Sequence, residues 1–130
     1  EQARYGSRKI AEEEATGLLQ ALDKLMTEEA LYLNPELSQQ EVAKKLGIIP
    51  HRLSQLLNEN LGQSFPNYLN TRRVAEAKRL IKKQKAYSLE SIGYDAGFRS
   101  KSTFYAAFKK HAGTTPATFR KKLEEAGPQQ

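Results

Sequence analysis

The sequence predicts an all-α fold: two helix-turn-helix subdomains joined by a long central helix and preceded by an extra amphipathic N-terminal helix. Three observations carry this. Apolar residues recur at spacings of three and four, with no strand pattern of alternating residues. Helix-starting residues and glycine breaks punctuate them at short intervals. The arrangement of one short helical pair, Ser38 to Leu61, also returns about fifty residues further on.

The most informative stretch is Leu89 to Arg120. Ser88 suits the start of a short helix, because its hydroxyl can accept an otherwise unpaired backbone N–H, and that helix runs to about Ala96. Gly97 tolerates the positive φ of a tight turn. Ser100 opens a second helix to His111, and Thr115-Pro116 opens a third, proline fitting where its missing donor costs nothing. Two short helices across a tight turn form a motif whose second helix can enter a DNA major groove.

Further N-terminal, Ala15, Leu18, Leu19, Leu22, Leu25 and Met26 form one stripe on a helix over residues 11–30, with acidic residues toward its start. Tyr32 and Leu33 are expected to continue that face until Asn34-Pro35 ends it. Residues 1–10 have no period and read as a tether. Ser38 and Glu41 make a capping-box pattern before Val42, Ala43 and Leu46. Gly47 breaks this helix, Pro50 starts the next, and Leu53, Leu56, Leu57 and Leu61 give its buried stripe. From Phe65-Pro66 to about Lys83 a longer helix buries Tyr68, Leu69, Val74, Ala77, Leu80 and Ile81. At 1.5 Å per residue it is a rod of roughly 25 Å, comparable with the ~34 Å between successive major-groove turns. The expected organisation is therefore 1–33, tether and amphipathic helix; 34–62, first helix-turn-helix; 63–84, connecting helix; 85–123, second helix-turn-helix; and 124–130, tail.

The two pairs overlay. At an offset of 50, Val42-Ala43 falls on Ile92-Gly93 and Leu46-Gly47-Ile48 on Ala96-Gly97-Phe98; past the turn an offset of 51 places Leu53 on Phe104 and Leu57 on Phe108. Small residues at Ala43 and Gly93 fit a second helix crossing close by.

Net charge is +6, unevenly spread. Residues 1–37 hold four basic and eight acidic side chains, whereas residues 38–123 hold 17 basic and five acidic, a net of +12. A field of that sign attracts polyanions such as DNA, although lysines and arginines can also simply solubilise helices. There is no cysteine, which excludes disulfides and thiolate metal sites and suits a reducing compartment. No cofactor or metal is expected. The two histidines, His51 and His111, are far apart, and neither a metalloprotease motif nor a phosphate loop is present, so no enzyme is expected. Rival readings are a protein-interaction module built on the helix at 11–33 and an RNA binder. The latter lacks the aromatic and strand signals of common RNA modules.

Gly97-Phe98-Arg99-Ser100-Lys101-Ser102-Thr103-Phe104-Tyr105-Ala106-Ala107-Phe108-Lys109-Lys110, then Gly113-Thr114-Thr115-Pro116 and Phe119-Arg120, resemble the C-terminal signature of the AraC/XylS-type bacterial transcriptional regulators. The resemblance runs from about Tyr32 to Leu123 and is weaker over Leu46 to Asn58, where Ile49 stands in place of the usual capping Ser or Thr. It implies two recognition helices inserted into adjacent major-groove segments of double-stranded DNA, without need of a symmetric dimer. It also implies a longer sensor-regulator with RNA polymerase as a further partner. Residues 11–33 resemble the segment that precedes this module in members with a membrane-embedded sensor, which would place this chain as a cytoplasmic output domain tethered to the inner membrane. The helix at 11–33 could instead pair in a dimer, and no small-molecule site is evident.

With the apolar stripes removed, the first recognition helix leaves His51, Arg52, Ser54, Gln55 and Asn58 as base readers. The second leaves Lys101, Ser102, Thr103, Tyr105, Ala106 and Lys109. Arg and Lys donate to guanine, Gln and Asn pair with adenine, and Ala or the Thr methyl meets a thymine methyl. Backbone contacts are expected from Arg72, Arg73, Arg99, Lys109 and Lys110, and from helix starts at Ser38, Ser88 and Thr115. The duller alternatives are an ordinary exposed His51, a Tyr105 tucked into the core edge, and solvated cations on the connecting helix.

Overall fold

A computed structural model describes residues 10–83 and 86–127. Seven α-helices occur among them: α1 (Glu12–Glu28), α2 (Gln39–Leu46), α3 (Pro50–Leu61), α4 (Phe65–Lys83), α5 (Leu89–Asp95), α6 (Lys101–Ala112) and α7 (Pro116–Ala126). Of the tether expected over residues 1–10, residues 1–9 lie outside the described residues, as do residues 128–130 of the tail expected over 124–130; residues 124–126 instead complete α7. The helices group into two units. The first comprises α1 to α3 and the start of α4 as far as Tyr68; the second holds Tyr32–Pro35, the rest of α4 and α5 to α7.

In the first unit, α1 buries Ala15, Leu22 and Met26, leaving Leu18, Leu19 and Leu25 only partly covered. One departure from the sequence reading lies at its end. The helix stops at Glu28, Ala30 takes a positive φ of 50°, and Leu31–Leu33 form a separate 3-10 turn. Tyr32 and Leu33 therefore do not extend the face of α1; they belong with the second unit. The capping box opens α2 in full: Ser38 Oγ accepts from Glu41 N–H at 3.1 Å, and Glu41 Oε1 accepts from Ser38 N–H at 2.9 Å. Gly47 is left-handed at φ 74° and turns the chain into α3, whose leucines 53, 56 and 57 are fully buried. Ile49 precedes Pro50 with no side-chain cap, and the residue is 59% exposed.

In the second unit hydroxyls do the capping. Ser88, Ser100 and Thr115 accept from the backbone N–H three residues on, at 3.0, 3.2 and 3.1 Å. The core is aromatic: Phe104 stacks at 5.2 Å from Phe98 and edge-on at 5.9 Å to Phe108, which in turn meets Phe119 at 5.5 Å. This packing explains Gly93. A Cβ there would lie 2.5 Å from Phe104 Cδ2 and 2.8 Å from Cγ, so α6 can cross α5 only where a side chain is missing.

His111 lies near the end of α6 with its Nε2 buried and, among the described residues, without a hydrogen-bond partner. Burial, and then the charge of Lys110, push its pKa below the ordinary histidine value. The folded state thus favours the neutral ring. The resulting stability is complete above the unfolded value of about 6.5 and is lost as pH falls from there through the folded value. Unfolding midpoints measured from pH ~7 down to ~5 should drop more steeply for the parent chain than for His111→Gln; equal slopes would show that the ring charges without cost.

Candidate nucleic-acid interface

On α6 the buried residues Phe104, Ala107 and Phe108 turn one face inward, which leaves Lys101, Ser102, Thr103, Ala106 and Lys109 exposed together on the other. The Ser100 cap fixes where this face begins. Its Oγ also donates to Thr103 Oγ1 at 2.9 Å and lies 3.3 Å from Ser102 Oγ, so three hydroxyls form one cluster at the helix start. Tyr105 is half-buried, edge-on to Phe104 at 5.5 Å, with Lys101 Nζ 5.5 Å from its ring centre. The core-edge alternative thus describes the ring of Tyr105, and that ring braces Lys101 at the exposed rim. The surface offers an ammonium donor, hydroxyls and a methyl over one helical face, the chemistry needed to read base edges.

α3 is arranged differently. His51 and Asn58 are exposed, whereas Gln55 is only 7% exposed. Its Oε1 accepts from Arg52 Nη1 at 3.2 Å, and its Nε2 donates to Glu59 Oε2 at 2.9 Å. The other Glu59 oxygen accepts from the backbone N–H of Ile10 at 3.2 Å, and Arg52 Nη2 pairs with Glu14 Oε1 at 3.0 Å. Ser54 Oγ accepts from Gln39 Nε2 at 2.6 Å, the same amide that reaches Pro50 O at 2.7 Å, tying α2 to α3. The expectation that Arg52, Ser54 and Gln55 stand free on an outward face therefore needs correcting. In this structure all three are engaged within the first unit, because carboxylates at Glu14 and Glu59 and the amide of Gln39 lie within reach. Glu14, Gln39 and Glu59 were missed by sequence reasoning; the acidic start of α1 hinted at the first, and the i,i+4 spacing from Gln55 on one helix could have found the last.

The expected backbone contacts divide as well. Ser88, Arg99, Lys109 and Lys110 are exposed, while Ser38, Arg72 and Thr115 are partly covered. The hydroxyls of Ser38, Ser88 and Thr115 are each occupied as caps. Arg73 is a correction. It is 9% exposed, donating from Nε to Tyr32 O at 2.7 Å and from Nη2 to Asn34 O at 2.9 Å. Burial, and then the neighbouring charge of Arg99, press its pKa below the usual arginine value. This guanidinium staples the 32–35 segment to α4 through two charge-assisted hydrogen bonds to its carbonyls. Among the described residues no group of three or more His, Cys, Asp or Glu could hold a metal ion, and no helix is long and apolar enough to cross a membrane.

Two helical pairs, each turning at a glycine and one presenting a cationic and hydroxyl-rich second helix, define a helix-turn-helix protein. A family model described as "Helix-turn-helix domain" matches residues 42–122. The chain belongs to that family, in its AraC type. It is similar to the "Probable transcription factor PqrA" of Proteus vulgaris, 35% identical over 79 residues, covering 61% of this chain and 64% of the relative. It is also similar to the "Arabinose operon regulatory protein" of Escherichia coli, 28% identical over 109 residues, covering 80% of this chain and 37% of that one. Among solved structures, a transcriptional regulator from Chromobacterium violaceum, described as of the AraC-type DNA-binding domain-containing proteins, superposes with a TM-score of 0.72. Its sequence is 28% identical, over 88% of this chain and 97% of that one. The chain thus spans less than two thirds of the length of both curated relatives.

Proposed function

We propose that this chain is the sequence-specific, double-stranded DNA-binding part of a transcription regulator and works without catalysis, α3 and α6 entering adjacent major-groove segments. The observation that carries this is the exposed face of α6, where Lys101, Ser102, Thr103 and Ala106 stand clear of a core that holds the other side of the same helix. Lys101 donates to guanine O6 and N7, Ser102 and Thr103 bond to base edges, and Ala106 packs on a thymine methyl. Arg99, Lys109 and Lys110 bond phosphates and set the register. The +12 net charge of residues 38–123 raises the encounter rate with the polyanion.

In a longer protein this module is the output half, with a sensor, membrane-embedded or soluble, and RNA polymerase as partners. The apolar stripe of α1 serves its own unit, in which Ala15, Leu22 and Met26 are buried, rather than a dimer seam.

The test is selection from a random duplex pool, followed by binding of the selected duplex across a salt series. The expected result is an enriched motif whose affinity falls steeply with salt. Lys101→Ala should weaken binding by about 1–3 kcal/mol and relax preference at one base position. An unaltered base profile for that variant would remove Lys101 from the reading face.

A further inference from the structure

We propose that the N-terminal turn from Ile10 to Glu14 is a cover over the first recognition helix, so that the free chain reads DNA through α6 and engages α3 only once this turn lifts. The inference rests on the DNA-reading role assigned above. A glutamine that reads adenine uses its carbonyl and its amide together. In Gln55 the carbonyl accepts from Arg52 and the amide donates to Glu59, and the residue is 7% exposed. The neighbours that hold it are themselves held by the N-terminal turn: Ile10 N–H bonds Glu59, and Glu14 pairs with Arg52. Ile10 is 8% exposed, so its side chain packs inward although it stands before the first helix begins.

Charge works in the same direction. Glu12, Glu13 and Glu14 occupy the first turn of α1, where the helix dipole favours them, and they set carboxylates beside the face that should meet phosphates. Their repulsion of DNA and the loss of free Arg52 and Gln55 both act on the first unit alone. The latch is weak by construction. The Arg52 side chain retains 22% exposure and that of Glu14 retains 47%, a geometry in which water and salt screen the pair. A device of this kind shifts a population without locking it. If the covered form holds about nine molecules in ten, binding through α3 is weakened about tenfold.

Two readouts test this on the full chain. In the first, the parent and an Ile10→Ser, Glu14→Gln double variant are put through the same duplex selection. The variant should add a second half to the motif and bind that longer duplex about tenfold more tightly than the parent does. Identical motifs and affinities for both chains would overturn the cover and leave the DNA-reading role standing, whereas enrichment by neither would overturn both. The second readout survives any failure of the double variant to fold. The chain has no cysteine, so Ile10→Cys supplies its single thiol. The rate of labelling by a thiol reagent, set against that of a free thiol under the same conditions, should rise as salt is raised, because salt screens the Arg52–Glu14 pair that holds the turn. A ratio flat across the salt series would overturn the cover.

Discussion

Gly97→Ala should cost the second unit at least about 3 kcal/mol, read as a fall in the midpoint of chemical unfolding at unchanged slope. Two independent penalties add. Gly97 sits at φ 102°, where an L side chain is strained whatever its surroundings. A Cβ at this position would also collide with the carbonyl oxygen of Tyr32 and come within 3.0 Å of both Leu33 Cα and Arg73 Nε. Backbone cannot step aside as a flexible side chain can, so the turn between α5 and α6, and with it the placement of the reading face, must distort. Gly47, its counterpart in the first turn, is a built-in control. It is left-handed at φ 74° but has nothing within 4 Å of its Cβ direction. Gly47→Ala, which meets the strain but no collision, should cost about 1–2 kcal/mol. Comparable losses at the two sites would show that strain alone, without the Tyr32 collision, sets the cost at Gly97.

The same pair of glycines marks how far the sequence could be read. That both break helices follows from local chemistry, as do the caps at Ser38, Ser88, Ser100 and Thr115, and each of those hydroxyls accepts the backbone N–H its position calls for. The need for a small residue at Gly93 was also legible, since an overlay of the two repeats places a crossing helix there, and Phe104 fills that space. Long-range partners could not be read this way. The Arg52–Gln55 and Gln55–Glu59 bonds lie within one helix at spacings of three and four and were open to a reading of spacing, whereas the hold of Ile10 on Glu59 and of Glu14 on Arg52 depends on residues meeting in space. The end of α1 failed for a related reason. Tyr32 and Leu33 keep helical spacing, yet the carbonyls of Tyr32 and Asn34 answer to Arg73 some forty residues away, and tertiary contacts override periodicity where the two compete.

Arg73 shows the problem at its sharpest, because Arg72 and Arg73 look alike in sequence and only one is buried. Arg73→Met keeps much of the apolar stem while removing the donors to Tyr32 O and Asn34 O. Losing both charge-assisted hydrogen bonds of this buried guanidinium should cost about 2–3 kcal/mol of stability. Arg73→Lys should recover only part of this, because an ammonium lacks the fixed fork that reaches both carbonyls at once. DNA binding gives the complementary measurement. A side chain that neutralised a phosphate would, on removal, lower the slope of log affinity against log salt by about one. For Arg73→Met, measured under conditions where the variant stays folded, that slope should match the parent, whereas Lys110→Ala on the exposed end of α6 should reduce it. A reduced slope for Arg73→Met together with near-parental stability would return Arg73 to the DNA backbone and reduce its two carbonyl bonds to a resting position.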